Sequence, residues 1–555
     1  MSTAAPSHDL GPTDRPLLNE TIGALLDRIV AAAPDHEALV SRHQQLRYTY
    51  AQLGAAVDEM ALAMLRAGLT QGDRVGIWSP NYAEWTLVQF ATAKIGVILV
   101  NLNPAYRTSE VEYALNQSGC RWLIAAPSFK TSDYRAMIEE LRPTLATLER
   151  DLYFWTPEWD AFVASGRGTQ ASGPGAGSGR EALAVAGAAL QADDPINIQY
   201  TSGTTGFPKG ATLTHRNILN NGFFVGAGCG YTPADRICIP VPFYHCFGMV
   251  MGNLGALTHG ATMVIPSDAF EPEAVLATIE AERCTSLYGV PTMFIAELAH
   301  PDFNRFDLSS LRTGIMAGSP CPVEVMKQAL ERMHMGEVTI CYGMTETSPV
   351  STQTLADDNI DRRTATVGRA HPHVEIKIVD PDTGQILPRG MTGEFCTRGY
   401  SVMLGYWNDP ARTADAIDSD GFMHTGDLAT MDEDGYVNIV GRIKDMIIRG
   451  GENVYPREVE EFLYRHPAVA DVQVIGVPDT RYGEEIMAWI RLKEGAQADA
   501  EEIKAFCRGQ ISHYKVPRYV KFVEEFPMTV TGKVQKFVMR DAAKEELGLE
   551  EITSA

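Results

Sequence analysis

The segment Tyr200–Ala211 constrains this chain more than any other, because it places flexible backbone, hydroxyl groups and one cation between a strand and a helix. Its sequence is Y-T-S-G-T-T-G-F-P-K-G-A. Glycines let backbone N–H groups approach a ligand closely, and Lys209 adds a mobile positive charge. Alternation over Ile196–Tyr200 predicts a strand, and Thr214 is a typical N-cap for a helix over Thr214–Phe224. The segment therefore predicts a polyphosphate-binding loop.

The phosphate loop of kinases and NTPases is the obvious alternative, and the spacing excludes it. In that motif the lysine follows a glycine and precedes a Ser or Thr that binds Mg²⁺. Here Lys209 follows Phe207–Pro208 and precedes Gly210. A P-loop ATPase is therefore disfavoured.

The bulk composition indicates a multidomain metabolic enzyme rather than a nucleic-acid-binding protein. A chain of 555 residues with 45% hydrophobic composition can bury several cores, and its net charge of −23 repels nucleic acid. Nine cysteines are scattered singly without a C-x-x-C pair. This favours a reducing compartment and buried thiols over disulfides or a zinc site. No signal peptide or membrane span is recognised, so we expect a cytoplasmic protein without integral membrane association.

The distribution of helix and strand patterns predicts an α/β protein with two domains. Residues 1–20 are expected to form a tail, and 21–441 a large domain with two α/β sheet subdomains plus a β region over about 365–440. Residues 164–187 are small and glycine-rich, which indicates a surface loop. A hinge is expected at 442–446, followed by a small mobile α+β domain over 447–555 that includes a helix over 499–512.

Four further segments carry chemically suitable residues. Tyr342–Thr347 (Y-G-M-T-E-T) offers an aromatic ring, a hydroxyl and a hard carboxylate ligand for Mg²⁺. His424–Ala429 (H-T-G-D-L-A) offers a carboxylate suited to ribose hydroxyls. Gly441–Glu458 mixes charges and paired glycines, as expected of a hinge, and Pro527–Lys536 places a lysine on a glycine turn. Taken singly, each could be an ordinary turn or a solvated charge.

In order and approximate spacing, these segments resemble the motif series of the acyl-adenylate-forming superfamily, which includes acyl-CoA synthetases, peptide-synthetase adenylation domains and luciferases. Lys94–Pro104 (KIGVILVNLNP) extends the resemblance upstream, so that it covers nearly the whole chain. The overall pattern is closest to medium-chain fatty-acid:CoA ligases. The resemblance implies ATP, Mg²⁺ and coenzyme A as co-substrates and cofactor.

The resemblance also implies roles for individual residues. Lys533, Thr345, Glu346 and His245 would be catalytic, with Lys533 stabilising charge in the adenylation transition state. Glu346 and Thr204 would hold Mg²⁺. Lys444 would be the hinge residue. ATP and AMP would be bound by Thr201, Ser202, Gly203, Thr204, Thr205, Gly206, Lys209, Gly318, Ser319, Pro320, Tyr342, Gly343, Met344, Asp427 and Arg442.

The acyl and pantetheine sites are also inferred from the resemblance. Gly450 and Gly451 would line the passage for the pantetheine arm of CoA. The acyl pocket would be lined by Phe247, Gly248, Met251, Val290 and Met316. No Asp lies between Pro240 and Leu257 to pair with an amino group, which disfavours an α-amino acid. Met249 stands where long-chain enzymes of the family carry a Trp gate, which disfavours a long-chain tunnel.

These inferences predict a ligase that converts a carboxylic acid, on balance a medium-chain fatty acid, to acyl-AMP with release of pyrophosphate, and then to the CoA thioester. A ligase that loads an acyl carrier protein is the first alternative. A luciferase-type oxidation and a catalytically silent nucleotide- or acyl-binding protein on the same fold are the others. The survival of Lys209, Glu346, Asp427, Arg442 and Lys533 disfavours the silent protein. The sequence is compatible with a homodimer but does not fix the oligomeric state.

Overall fold

The computed structural model describes residues 5–167, 179–201, 208–319, 321–450, 452–529 and 533–549. Within these ranges the strands, in chain order, are β1 (His8–Leu10), β2 (Glu37–Ser41), β3 (Leu46–Thr49), β4 (Arg74–Trp78), β5 (Ile98–Leu102), β6 (Trp122–Ala125), β7 (Ser128–Phe129), β8 (Ser132–Asp133), β9 (Arg150–Tyr153), β10 (Pro195–Thr201), β11 (Lys209–Thr214), β12 (Arg236–Cys238), β13 (Thr262–Ile265), β14 (Ser286–Gly289), β15 (Thr313–Ala317), β16 (Glu337–Gly343), β17 (Val350–Gln353), β18 (Arg369–Ala370), β19 (Val374–Val379), β20 (Gly393–Gly399), β21 (Gly405–Tyr406), β22 (Met423–Met431), β23 (Val437–Arg442), β24 (Ile447–Arg449), β25 (Glu452–Val454), β26 (Val469–Asp479), β27 (Gly483–Leu492) and β28 (Tyr519–Phe522).

The α-helices of the same ranges are α1 (Ile22–Ala32), α2 (Tyr50–Arg66), α3 (Ala83–Ile95), α4 (Thr108–Ser118), α5 (Tyr134–Leu141), α6 (Pro157–Ser165), α7 (Gly179–Ala188), α8 (His215–Gly228), α9 (Gly255–His259), α10 (Pro272–Glu282), α11 (Pro291–Leu298), α12 (Val323–Arg332), α13 (Ile360–Ala365), α14 (Pro410–Ala416), α15 (Pro456–Leu463), α16 (Ala500–Cys507) and α17 (Lys536–Leu547). A π-helix spans Phe247–Leu254, and short 3₁₀ turns include Thr345–Thr347 and Ile443–Asp445.

Two large mixed sheets form the first part of the chain. One has the strand order β21-β11-β10-β5-β4-β6-β9, and the other has β18-β17-β16-β15-β14-β12-β13-β2-β3. Neighbouring strands in the middle of each sheet are parallel and are connected through helices, which is the α/β arrangement. A third, antiparallel sheet has the order β1-β19-β20-β22-β23. It is the β region predicted between residues 365 and 440.

The helices between these sheets are held by apolar burial and by capping. Helix α3 is buried along nearly its whole length, as expected of a helix covered on several sides. Helix α8 begins after Thr214, whose side chain accepts a hydrogen bond from the N–H of Asn217 in a capping box. These two helices and the strands that precede or follow them confirm the α/β prediction for this part of the chain.

The last hundred residues form a separate small sheet with its own apolar core. Strands β25, β24, β27 and β26 lie in that order, with β28 parallel to β27, and helices α15 to α17 accompany them. Helix α15 begins with Pro456 at its first position, where proline costs no hydrogen bond. The predicted mixed fold of a large α/β part and a small α+β part is confirmed.

The structure differs from the sequence-based expectations at three places. Residues 8–10 of the expected tail form strand β1, antiparallel to β19 at the edge of the third sheet. The expected loop over 164–187 is wrong at its C-terminal end, because Gly179–Ala188 is helix α7 and Leu183 is buried in the core. The expected helix over 499–512 ends at Cys507, and Ile511 pairs back with Arg508 instead.

Within the described ranges, no helix has both the length and the hydropathy needed to cross a bilayer.

Candidate active site

The predicted phosphate loop joins two antiparallel strands of the first sheet. In the register of β10 and β11, Thr201 lies opposite Lys209 at the base of the hairpin. Of the residues assigned to the loop, Ser202, Gly203, Thr204, Thr205 and Gly206 lie outside the described residues. Of the residues predicted to form the phosphate loop, the structure therefore describes Thr201 and Lys209, which lie at its two ends.

Glu346 lies next to this hairpin on the 3₁₀ turn Thr345–Thr347 and is 4% exposed. Its Oε1 accepts hydrogen bonds from Thr201 Oγ1 at 3.3 Å and from the Tyr406 hydroxyl at 2.9 Å. Both donors are neutral hydroxyls, so neither of these contacts pairs the carboxylate with a cation. The arrangement fits the Mg²⁺ ligand predicted from the sequence.

Lys209 is linked to Glu346 through Tyr406. Its ammonium group donates a 3.0 Å hydrogen bond to the Tyr406 hydroxyl and lies 4.3 Å from the centre of that ring. Burial lowers the pKa of Lys209, the Glu346 carboxylate opposes that shift, and Arg412 and Lys444 add to the lowering. The expected hinge residue Lys444 is therefore near enough to Lys209 for its charge to act on that ammonium group. Several cations thus surround a position suited to a polyanion.

The predicted nucleoside residues also lie together. The Tyr342 hydroxyl donates to Asp427 Oδ2 at 2.7 Å, and Arg442 Nε donates to Asp427 Oδ1 at 3.1 Å. Asp427 and Arg442 face each other across the antiparallel pair of β22 and β23. Burial raises the pKa of Asp427, and the Arg442 charge opposes that rise. The Tyr342 ring packs edge-on against Phe395 with centroids 5.1 Å apart.

The position after Tyr342 admits only glycine. Gly343 ends β16, and a Cβ placed there would lie 1.7 Å from the Pro349 carbonyl oxygen, so only glycine fits. Met344 is half-buried against the main core, and Thr345 is buried behind it. On the neighbouring strand, Gly318 follows β15 with φ of 92°. Its neighbour Ser319 is described, whereas Pro320, the last member of the predicted adenine-binding segment, lies outside the described residues.

Lys533 reaches this site from the C-terminal domain. Its backbone N–H donates to Thr529 Oγ1 at 3.1 Å, and its carbonyl accepts from the Thr529 N–H at 2.8 Å, so two hydrogen bonds hold Lys533 against Thr529. A Cβ placed on Gly318 would lie 3.9 Å from Lys533 Cε. Burial and Arg442 lower the pKa of Lys533, while Asp427 and Glu346 oppose that shift. The predicted ribose ligand Asp427 and the predicted magnesium ligand Glu346 are therefore both near enough for their charges to act on Lys533.

His245 precedes the π-helix that forms one wall of the predicted acyl pocket. Its Nδ1 accepts a 3.2 Å hydrogen bond from the Phe247 N–H, and burial lowers its pKa to about 3, helped by the Lys533 charge. The imidazole is therefore neutral near pH 7, with its proton on Nε2. The adjacent Cys246 thiol donates to Gln199 at 3.1 Å, and burial raises its pKa to about 12.

The structure brings most, but not all, of the predicted acyl-pocket residues together. Phe247, Met251 and Val290 belong to one apolar core, and the Tyr288 hydroxyl donates to the Met251 carbonyl at 3.2 Å. A Cβ on Gly248 would lie 2.4 Å from the Pro242 carbonyl oxygen, so this turn requires glycine. Met316 instead lies in the second apolar core.

Met316 lies apart from the other predicted pocket residues because side chains alternate between the two faces of β15. Its neighbours Ile315 and Ala317 point into the core that contains Phe247, whereas Met316 points to the opposite face. Met249, at the position of the Trp gate in long-chain enzymes, is buried. Its sulfur accepts hydrogen bonds from Gln199 at 3.1 Å and Asn101 at 3.2 Å.

The expected hinge and pantetheine residues lie at the start of the small domain. Lys444 is in the 3₁₀ turn Ile443–Asp445, and Arg540 of α17 forms a 2.7 Å ion pair with Asp445. Gly450 has φ of 61°, and its N–H donates to the Tyr482 carbonyl at 2.8 Å. Gly451 lies outside the described residues.

Sequence reasoning missed Tyr406, which bridges Lys209 and Glu346. It lies on the short strand β21, which pairs with β11 through Ala211 and thereby reaches the base of the phosphate loop. The G-Y-W run at 405–407 was a signal of a close-packed aromatic turn. Only the pairing of β21 with β11, which is distant in sequence, reveals where its hydroxyl points.

Known proteins resemble this chain over nearly its whole length. The family model described as AMP-binding enzyme matches residues 26–407, and the model described as AMP-binding enzyme C-terminal domain matches residues 458–533. The Bacillus subtilis protein YngI is 51% identical over 547 residues, which covers 96% of this chain and 99% of YngI. The Danio rerio mitochondrial medium-chain acyl-CoA ligase ACSF2 is 46% identical over 564 residues, covering 99% of this chain and 92% of ACSF2.

Solved structures share the same architecture. The anthranilate CoA ligase AuaEII in complex with anthranoyl-AMP has a TM-score of 0.85 at 28% identity, covering 97% of this chain and 99% of AuaEII. ATP-bound MatB of Rhodopseudomonas palustris has a TM-score of 0.79 at 30% identity, covering 95% of this chain and all (100%) of MatB. With both family models matched and relatives of this identity covered over nearly their whole length, the chain belongs to the AMP-binding enzyme family of the acyl-adenylate-forming superfamily and is an acid–thiol ligase of the acyl-CoA synthetase type.

Proposed function

We propose that this enzyme activates a medium-chain fatty acid with ATP, releases pyrophosphate and transfers the acyl group from AMP to coenzyme A. The observation that carries the proposal is the convergence of Lys209, Glu346, Asp427 and Lys533 from four separate segments. The name of the relative ACSF2 adds support for a medium-chain acid. The apolar residues Phe247, Met251 and Val290 suit an uncharged acyl chain.

In the proposed site, different side chains would contact the phosphates, the ribose and the adenine of the nucleotide. Lys209 would contact the departing phosphates, and Asp427 would accept hydrogen bonds from the ribose hydroxyls. Glu346, with Thr204, would hold Mg²⁺, which supplies charge neutralisation for the pyrophosphate leaving group. Tyr342 and Gly318-Ser319-Pro320 would enclose the adenine, and Thr345 would contact the α-phosphate.

Lys533 would stabilise the charge that develops as the carboxylate attacks the α-phosphorus. Neutral His245 would lie beside the carboxyl group, where Nε2–H can donate without adding charge. The small domain that brings Lys533 to the site also carries Gly450 and Gly451, the proposed pantetheine passage. A rotation at Lys444 would exchange these two surfaces between the half-reactions.

We also propose a reducing compartment such as the cytoplasm. All nine cysteines are free and buried, which suits a chain that folds without disulfides.

The test is a pyrophosphate-release assay with ATP, Mg²⁺ and a panel of straight-chain acids from acetate to palmitate plus benzoate, with and without CoA. We expect CoA-dependent turnover with an optimum among the medium-chain acids, and AMP rather than ADP as product. Stoichiometric pyrophosphate release that CoA does not accelerate would contradict the CoA step and point to a carrier-protein acceptor. No release with any acid of the panel would contradict the proposal, and ADP as product would contradict adenylation.

A further inference from the structure

Three side chains with metal-binding atoms converge where β20 pairs with β22. Because the two strands are far apart in sequence, no sequence motif contains all three residues. Cys396 and His424 lie opposite each other in the register, and Glu394 lies two residues before Cys396 on β20. Nδ1 of His424 is 2.9 Å from Glu394 Oε2 and 3.5 Å from Cys396 Sγ. The ligand atoms of all three residues lie within 4.8 Å of one another.

The outer atoms of the same side chains are already held in place. Glu394 Oε1 accepts a 3.0 Å hydrogen bond from the Gly426 N–H, which leaves Oε2 directed at His424. On the other side of the imidazole, Nε2 is 3.4 Å from Asp418 Oδ2. A carboxylate on Nε2 orients a histidine that binds metal through Nδ1 and makes it a better ligand.

We propose that Glu394, Cys396 and His424 form a Zn²⁺-binding site between β20 and β22. Thiolate, imidazole and carboxylate together are the ligands that zinc prefers, with water as the fourth ligand. Ligand atoms that share a zinc ion at bond lengths of about 2.0–2.3 Å are about 3.3–3.6 Å apart. The observed separations of 2.9 Å and 3.5 Å from His424 Nδ1 are near these values, and the Glu394 and Cys396 ligand atoms, at most 4.8 Å apart, would adjust on binding.

The charges and the accessibility of the cluster suit a dication. Lys377 lies 3.5 Å from Asp418. The carboxylates of Glu394 and Asp418 and the Cys396 thiolate carry three negative charges, which Lys377 and one Zn²⁺ together balance. The His424 side chain is 32% exposed and that of Glu394 is 12% exposed, so a fourth, water ligand can reach the ion. Binding would release the thiol proton and the proton held between Nδ1 and Oε2. A simple hydrogen-bonded link between the strands would need only Glu394 and His424, whereas the buried Cys396 adds a third ligand.

The site would act on the strand that carries the ribose-binding carboxylate. His424 is three residues before Asp427 on β22, and the intervening Gly426 has φ of 70°. Zinc would fasten β20 to β22 immediately before this turn. Because the ion would bind the folded protein only, it would raise the melting temperature. This inference does not depend on which acid the enzyme activates.

The test uses the chelator-treated full-length protein titrated with Co²⁺, which substitutes for Zn²⁺ and reports its ligands spectroscopically. We expect a near-ultraviolet thiolate-to-cobalt charge-transfer band that saturates at one ion per chain and is abolished by excess Zn²⁺. Cys396→Ser should lose the band and also the rise in melting temperature with Zn²⁺. Cys507→Ser, which removes an equally buried thiol of the C-terminal domain, should keep both.

X-ray absorption of the zinc-loaded wild-type protein tests the site without relying on the folding of any variant. One sulfur and three nitrogen or oxygen neighbours are expected. No cobalt band in the wild type, a band retained in Cys396→Ser, or a zinc shell without sulfur would overturn the proposal. His424→Gln, which keeps a hydrogen-bonding side chain, provides the second variant and should bind at least 10-fold more weakly.

Discussion

The Tyr342 hydroxyl donates a 2.7 Å hydrogen bond to the Asp427 carboxylate, so one bond links the proposed adenine-stacking ring to the proposed ribose ligand. The two residues come from different sheets, since β16 belongs to the nine-stranded sheet and β22 to the antiparallel sheet. Burial raises the pKa of Asp427, and the Tyr342 hydrogen bond and the Arg442 charge oppose that rise. The bond therefore helps to keep the acid ionised where two sheets meet.

Tyr342→Phe tests that relationship. The variant keeps the ring but removes the hydrogen bond, and a hydrogen bond to a charged group contributes about 1.5–3 kcal/mol. We expect KM for ATP to rise by about 10- to 100-fold with a smaller change in kcat. The measurement is ATP–pyrophosphate exchange at saturating acid.

Tyr436→Phe is the matched control, because its hydroxyl bonds to Asp358 away from the proposed nucleotide residues. It should leave KM for ATP within about twofold of wild type. An unchanged KM in Tyr342→Phe would show that Asp427 does not need this bond to serve the nucleotide.

Lys533→Ala should separate the two half-reactions. The residue lies close to Gly318 and its charge acts on both Asp427 and Glu346, so its loss should slow adenylation by about 100- to 1000-fold. Thioester formation from supplied acyl-AMP and CoA should stay within about threefold, because in the proposed alternation another face of the small domain would serve that step. Both rates are measured by single-turnover assays.

Lys536→Ala provides the comparison for Lys533→Ala. Its ammonium group pairs with Glu460 at 2.6 Å at the start of α17, within the small domain. Adenylation in this variant should remain near the wild-type rate. Equal losses in both half-reactions of Lys533→Ala would contradict the alternation of surfaces.

Local chemistry was predictable from this sequence, whereas non-local pairing was not. The strand before the phosphate loop and the helix after it follow from apolar alternation and from the Thr214 cap, and both are confirmed. Tyr406 reaches Glu346 because β21 pairs with β11, a contact between segments separated by about a third of the chain. No pattern within a single segment reports such a contact.

The same contrast between local patterns and non-local contacts explains two other features that the sequence did not predict. The glycine-rich composition around Gly179–Ala188 predicted a loop, but Leu183 packs into the core and supports a helix there. The cysteine spacing contains no paired motif, so it did not indicate the zinc site that we propose between β20 and β22. Cys396 meets His424 through strand register rather than through sequence proximity.

Met251 and Met316 give a paired test of the acyl pocket. Both side chains are buried, yet Met251 lies in the core with Phe247 and Val290, and Met316 lies on the opposite face of β15. Each Met→Ala change should cost about 2–5 kcal/mol of stability. Only Met251→Ala should shift the preferred acid toward longer chains, because it enlarges the proposed pocket.

The measurement is kcat/KM for the series of straight-chain acids, with thermal unfolding as the stability check. A shift in Met316→Ala equal to that in Met251→Ala would place the acyl chain in the second core instead. No shift in either variant would remove Met251 from the pocket.

The stability of this protein should fall on acidification partly because His215 is buried without charge. His215 is 0% exposed, and its Nδ1 accepts a 3.2 Å hydrogen bond from the Ile22 N–H. Burial lowers its pKa from 6.5 to about 3. Between these two values the unfolded chain binds a proton that the folded protein does not, so folding loses stability as the pH falls below 6.5. Above that pH the contribution is constant.

His215→Gln should reduce this pH dependence, because glutamine can accept from the Ile22 N–H and does not titrate. We expect the melting temperature of the variant to fall less steeply than that of the wild type between pH 6.5 and about pH 4. His513→Gln, at an exposed position in the small domain, should keep the wild-type slope. Parallel curves for wild type and His215→Gln would mean that protonation of this imidazole does not disrupt the Ile22 contact. The acid sensitivity would then arise at other buried groups. One such group is His371, whose pKa burial also lowers to about 3.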